Sequence, residues 1–208
     1  MKKLALIAIG GNSVIKDEAR QDVGAQYEAI CETALHIADL IENGYRVIIT
    51  HGNGPQVGFL LRRSEIAQAV EGLHPIPLVS CGADSQGALG YQIQQAMDNE
   101  FRKRGIDKVA VSLITQVVVD RNDPAFEKPT KPIGSFYSDK IIDTVKAEHP
   151  DWVMVSDAGR GWRRVVASPE PKEIVELKVV QNLVEAGYCV VAAGGGRHSG
   201  IPRAGRLA

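Results

Sequence analysis

The stretch RVIITHGNGPQVG, residues 46–58, decides the fold class. Its opening five residues form a short β-branched run, which reads as a strand buried in a parallel sheet. The run passes without a polar spacer into the turn Gly52-Asn53-Gly54. The same device occurs on either side of it. LALIAI at 4–9 stops at Gly10-Gly11-Asn12, and YCVVAA at 188–193 ends in Gly194-Gly195-Gly196. Between the first two, Ile30, Ala34, Ile37, Ala38 and Ile41 fall at helical spacing within 22–42, and Asn43-Gly44 closes that segment as a helix C-cap. Residues 55–71, 83–104 and 173–186 also read as helices. Strands alternating with helices predict an α/β protein with a mostly parallel sheet. In such sheets ligands bind beyond the carboxyl ends of the strands, so three glycine turns on one edge predict a site there.

The middle of the chain reads differently. Residues 109–119 suggest one long β-rich run, and 121–138 with 156–172 suggest an irregular insertion around a short helix at about 139–147. No internal repeat interrupts the pattern.

Composition narrows the function. With 208 residues the chain can bury a sizeable core without a disulfide or metal staple. Twenty-four Lys and Arg against 25 Asp and Glu leave a net charge of −1, which argues against a nucleic-acid surface or a polybasic membrane patch. Cys31, Cys81 and Cys189 are too scattered for a zinc site or a disulfide framework, and fit a reducing compartment. The apolar run after Lys2-Lys3 is too short for a signal peptide or a membrane span. The expectation is a soluble, cytoplasmic protein.

Several segments could carry chemistry. Gly10-Gly11-Asn12 and Gly52-Asn53-Gly54 each follow a strand, and glycine there lets backbone N–H groups approach an anion. An Asn in each turn could add a side-chain amide donor, so the pair favours an anion site. Neither turn is a P-loop or a G-x-G-x-x-G dinucleotide turn. His51 is either a general base or a satisfied structural residue. Lys131, between prolines in PTKPIGSFY, is either an exposed loop lysine or a cation placed to balance a transferred phosphoryl group. Arg160, Arg163 and Arg164 surround Trp162 and could grip an anion or serve as surface charge; Trp152 and Trp162 read as packing residues.

Taken in order, GGN at 10–12, HGNGPQVG at 51–58, SQG at 85–87, PTKPIGSFY at 129–137 and DAGRGWRRVVASPEP at 157–171 resemble the carbamate kinases of the amino acid kinase superfamily. The resemblance covers residues 1 to about 196. It implies a three-layer αβα sandwich and reversible phosphoryl transfer, ATP plus carbamate giving ADP plus carbamoyl phosphate. It implies Mg²⁺ with the nucleotide, a homodimer, and a place in arginine or purine-derived carbamoyl degradation. Gly10, Gly11 and Asn12 then match the first phosphate-side turn, and Gly52, Asn53 and Gly54 the second. Lys131 matches the lysine of a protruding, lid-like subdomain at 120–170. Arg160, Gly194 and Gly195 are further binding candidates. Other members of the superfamily carry a Lys two residues before the first Gly-Gly. Here Ala8 stands there, as in carbamate kinases, which shifts charge stabilisation to Lys131.

The sequence also departs from that family. The tail GGGRHSGIPRAGRLA differs from the usual GGGGIPV continuation, so 197–208 reads as a divergent tail of the frameshift type. The Asp-Lys-Asp and Gly-Ser-Met-x-x-Lys segments that the family uses for nucleotide binding are not in this sequence. The expectation is an acceptor domain over 1–196, truncated before the nucleotide half, with strand 188–193 left as an open sheet edge. The non-catalytic alternative is a module that binds carbamoyl phosphate or another small phospho-anion.

Overall fold

The computed structural model describes residues 3–10, 14–15, 20–157, 159–195 and 200–202. In chain order the elements are β1 (Leu4–Ile9), α1 (Val23–Glu42), β2 (Arg46–His51), α2 (Gly54–Glu71), α3 (Leu78–Arg104), β3 (Ala110–Ser112), β4 (Val117–Val119), β5 (Lys131–Tyr137), α4 (Ile142–Glu148), β6 (Val153–Asp157), β7 (Gly161–Val166), β8 (Pro171–Ile174), α5 (Leu177–Glu185), β9 (Cys189–Val191) and β10 (Gly200–Pro202). They group into two units. The first comprises Met1–Asn53, Gly82–Gln116 and Ile174–Gly196; the second comprises Gly54–Cys81, Val117–Glu173 and Arg197–Ala208.

The first unit is built on a parallel sheet of order β1-β2-β9-β3. Strand alternation sends Val47, Ile49 and Val191 to one face, where they meet Ile30, Ile37 and Ile41 of α1 and Leu89, Ile93, Met97 and Phe101 of α3. Val190, Ala192 and Ile48 point the other way and are covered by Val180 and Val184 of α5. The result is the expected three-layer αβα sandwich. Each fully buried Leu, Ile or Phe in it contributes about 1.5–3 kcal/mol. The polar ends of the helices are closed locally. Asp22 caps α1 by accepting from the Ala25 N–H at 3.0 Å. Arg104 ends α3 by donating to Glu100, Asp39 and Glu42, each at 2.6 Å, which ties α3 to the last turns of α1.

Three expectations fail here. β1 is not buried on both faces: it is the sheet edge, and Leu4 and Leu6 on one side remain 51% and 68% exposed. Strand 188–193 is not an open edge, because β9 lies between β2 and β3 and all its residues are buried. The run 109–119 is not one strand. β3 stays in the parallel sheet while β4 joins a separate sheet of order β10-β4-β8. The break is made good by Gln86 of α3. Its Oε1 accepts from the Thr115 N–H at 3.0 Å and its Nε2 donates to the Thr115 carbonyl at 3.3 Å, replacing the ladder bonds lost there.

In the second unit, the segment expected to be irregular is an antiparallel sheet of order β5-β7-β6. Its prolines and glycines sit at ends and at a register shift between Ile133 and Phe136, which is how such residues are tolerated in strands. Ile133 packs with Val57 and Leu61 of α2 and with Cys81. The two tryptophans pack as expected, against cations and a ring: Lys146 lies 4.2 Å above Trp162, Arg164 lies 4.3 Å from Trp152, and His149 stacks on Trp152 at 3.8 Å. Among the described residues, no helix is long and apolar enough to cross a membrane.

Candidate functional site

β1, β2 and β9 are adjacent and parallel, so their carboxyl ends and the glycine turns after them share one sheet edge. Backbone bonds tie the second turn to the end of β1 and the third turn to the end of β2. The Gly52 N–H donates to the Ile9 carbonyl at 2.8 Å, and the Gly195 N–H donates to the His51 carbonyl at 2.8 Å. Thr50 Oγ1 donates to the Ala193 carbonyl at 2.8 Å. Gly10 is exposed at the end of the first strand; Gly11 and Asn12 lie outside the described residues.

The third turn is shaped by the side chains of the second. A Cβ on Gly194 would collide with the His51 ring, meeting Nε2 first, Cε1 at 2.5 Å and Cδ2 at 3.0 Å. A Cβ on Gly195 would lie 2.6 Å from Asn53 Nδ2. Gly195 also has φ +85°, a conformation that L side chains rarely adopt, and Ala193 adopts φ 52° despite its methyl group. Backbone strain concentrated at one turn of a sheet edge is a mark of a functional site.

His51 is buried, and its Nδ1 lies 3.3 Å from the Gly52 carbonyl. Burial holds its pKa below the ordinary 6.5, so the imidazole is neutral at pH 7. Between its two readings, the geometry favours the structural one: the ring fills the space that Gly194 leaves.

Asn53 is placed unexpectedly. Its Nδ2 does not face the turn as a free donor but donates to Ser85 Oγ of α3 at 2.7 Å. Ser85 in turn donates to the Gly82 carbonyl at 2.9 Å. Asn53 Oδ1 is buried and has no hydrogen-bond partner among the described residues. Ser85 and Gln86 lie in the SQG stretch at 85–87, which by itself assigns neither a task. The available signal was two polar residues on a helix turn that apolar spacing places against the core, where a polar side chain needs a partner.

The remaining candidates lie in the second unit. Gly54 opens α2, whose first turn holds no acidic residue, so its N-terminal N–H groups favour an anion. Lys131 opens β5, is half-buried, and pairs with Val166 of β7. By strand alternation it shares a sheet face with Ile133, which packs on α2. Arg160 is committed elsewhere: it pairs with Asp157 at 2.9 Å and lies 5.2 Å from the Phe136 ring. No group of three or more His, Cys, Asp or Glu among the described residues could hold a metal ion.

Comparison with known proteins agrees with this architecture. The model of the amino acid kinase family matches residues 3–207. The carbamate kinase-like protein YahI of Escherichia coli is 52% identical over 202 residues, covering 97% of this chain and 63% of its own length. The carbamate kinase of Pyrococcus horikoshii is 48% identical with the same coverage, 97% and 63%. Among solved structures, a carbamate kinase from Giardia lamblia bound to AMP-PNP superposes with a TM-score of 0.88 at 38% identity, covering 99% of this chain and 64% of that one. The chain therefore spans a little under two thirds of the length of these relatives. The fold, the edge of glycine turns and the family match agree: the chain belongs to the amino acid kinase family.

Proposed function

We propose that the chain is a carbamate kinase-type phosphotransferase, exchanging a phosphoryl group between ATP and carbamate to give ADP and carbamoyl phosphate. The observation that carries this reading is the pair of glycine turns tied to the ends of β1 and β2 at one parallel-sheet edge, in a chain 48% identical to a carbamate kinase. In the forward direction a carbamate oxygen attacks the γ-phosphorus and the bond to the β–γ bridging oxygen breaks. Catalysis of such a transfer is mostly positioning and charge balance. The turns at Gly10-Gly11-Asn12 and Gly52-Asn53-Gly54 bind the acceptor and the transferred group, the second through the N–H groups beyond Gly52, whose own N–H is held by Ile9, with the α2 N-terminus adding favourable potential. Lys131 neutralises charge on the phosphoryl oxygens. Gly194 and Gly195 contribute by letting His51 and Asn53 pack beneath the second turn. The carbamate kinase resemblance implies Mg²⁺ with the nucleotide, which would balance charge on its phosphates when bound. The reading extends to a homodimer in the cytoplasm, supported by the family resemblance and by three cysteines too scattered in sequence for a disulfide framework.

The test is ATP formation from ADP, Mg²⁺ and carbamoyl phosphate, with calorimetric titration of carbamoyl phosphate alongside. Turnover that falls roughly 100- to 1,000-fold in Lys131→Ala, the usual loss for one electrostatic group, supports the reading. Binding without turnover would reduce the chain to an acceptor-binding module. Absence of both binding and turnover would refute the assignment.

A further inference from the structure

Within the second unit, α2 and β5 meet backbone to backbone. A Cβ built on Gly58 would have the Gly134 N and Cα as its nearest neighbours, both at 3.9 Å. At this crossing Ile133 packs in one cluster with Val57 and Leu61. Further along both elements, burial and after it the Glu65 carboxylate hold the Tyr137 hydroxyl above its ordinary pKa, while Arg62 pulls it down. The two elements therefore run in the same direction. Counted back from the crossing at the usual rise per residue, Lys131 lies about 10 Å toward the start of β5 and Gly54 about 6 Å toward the start of α2. Lys131 thus stands level with the α2 N-terminus, whose N–H groups favour an anion.

The crossing is held from its other side as well. Gly134 has φ +68° and lies in the register shift between Ile133 and Phe136. Arg163 of β7 points to the sheet face opposite Ile133, because it is Arg164 that pairs with Ile133. Its Nε donates to the Gly134 carbonyl at 3.3 Å, and its guanidinium lies 4.9 Å from the Phe136 ring. Arg163 is therefore committed to β5.

We infer that Gly58 and Arg163 are positioning residues: from opposite sides of Gly134 they set where Lys131 stands relative to the α2 N-terminus. This rests on the function proposed above and adds to it the residues that place its cation. A lysine and a helix N-terminus reinforce each other on one phosphoryl group only when both reach it together, and a displacement of about 1 Å can cost about 100-fold. Alanine at position 58 fits the 3.9 Å spacing. Leucine carries three further carbons, and β5 must yield to admit them.

The experiment is calorimetric titration of the 208-residue chain with carbamoyl phosphate, comparing Gly58→Leu with Gly58→Ala in the presence of Lys131 and in Lys131→Ala. Alanine and leucine have nearly equal helix propensity, so the pair differs chiefly in bulk. With Lys131 present, Gly58→Leu is expected to bind about 10-fold or more weakly than Gly58→Ala, the loss that goes with one charge-assisted contact. In Lys131→Ala the two are expected to agree within about twofold, because no cation remains to be misplaced. Arg163→Met keeps the apolar stem, loses the donor and adds no bulk. It is expected to weaken binding by about threefold or more, again only when Lys131 is present. Trp152 and Trp162 lie in the same unit, so their fluorescence shows whether each variant is folded. Should Gly58→Leu lose that signal, Arg163→Met decides alone. A purely structural role would weaken binding equally with and without Lys131, which overturns the inference. So does a folded Gly58→Leu that binds as Gly58→Ala does, a result that leaves the kinase reading standing. Failure of wild type to bind carbamoyl phosphate overturns the kinase reading itself and this inference with it.

Discussion

Gly194→Ala tests whether the third turn is glycine-rich to make room for its neighbour. The added methyl would sit 2.5 Å from His51 Cε1 and 3.0 Å from Cδ2, where carbon atoms in contact ordinarily lie about 3.5–4.0 Å apart. The ring must therefore retreat by roughly 1 Å, and it is buried at 5% exposure, so the core must shift with it. Overpacking of this kind costs about 1–3 kcal/mol. Gly194 does not have a positive φ, so the whole cost lies in the collision. Removing the ring with His51→Ala should abolish it, because the methyl then enters the vacated space. The double-mutant cycle should show a coupling of about 1–3 kcal/mol, well above the roughly 0.3–0.5 kcal/mol expected of independent sites. Gly195→Ala is the contrasting case. Its φ of +85° keeps a backbone cost of about 1–2 kcal/mol that Asn53→Ala cannot relieve. Both tryptophans lie in the second unit, so their fluorescence reports on the wrong region. Hydrogen exchange at the β2 and β9 amides follows the right one. An equal cost for Gly194→Ala with and without the His51 ring would refute the packing argument.

Two further outcomes follow from the same turn. Ala193→Gly should stabilise the first unit by about 0.5–1 kcal/mol, because it releases a left-handed conformation that the methyl group resists; destabilisation in the same exchange measurement would show that the Ala193 methyl packs more than it strains. Stability should also depend on His51 in acid. Its folded pKa lies below 6.5, so as pH falls the unfolded chain takes up the proton first. The contribution of the neutral ring is therefore full above pH about 6.5, declines below it, and levels off once the folded pKa is passed. Urea titrations across that range should give a flatter profile for His51→Gln, and an unchanged acid slope in that variant would contradict the assignment.

Period and punctuation made the first unit legible. The runs 4–9, 46–50 and 188–193 each pass into glycine, and α1 stops at Asn43-Gly44. These are local signals, and they located the strands, the helices and the edge that carries the turns. What sequence could not show was lateral order. Nothing local distinguishes an edge strand from a central one when both are apolar, so β1 reads as covered, whereas β9 reads as open only because the family resemblance places further strands beyond it. The run 109–119 hid its break because the interruption is stabilised from outside, by Gln86 of α3 bonding to Thr115. The antiparallel sheet of residues 131–166 was concealed by its prolines and glycines, whose usual meaning is loop.

The glycines themselves carry a different message from the one their spacing first suggests. Glycine at a strand end is read as close backbone approach to an anion. At Gly194 and Gly195 the groups that come close are instead the His51 ring and the Asn53 amide of the neighbouring turn. The second turn is thus held from three directions: Ile9 takes its Gly52 N–H, the third turn packs against its side chains, and Ser85 holds its amide. A loop fixed in this way can keep an unsatisfied acceptor such as Asn53 Oδ1, because no rotation available to it would satisfy that oxygen without breaking another bond. Ser85 stands 32 residues from Asn53 in sequence, so no motif window contains the pair. The shape of this edge is therefore a property of the packing between the turns and α3, and is visible only once the chain has folded.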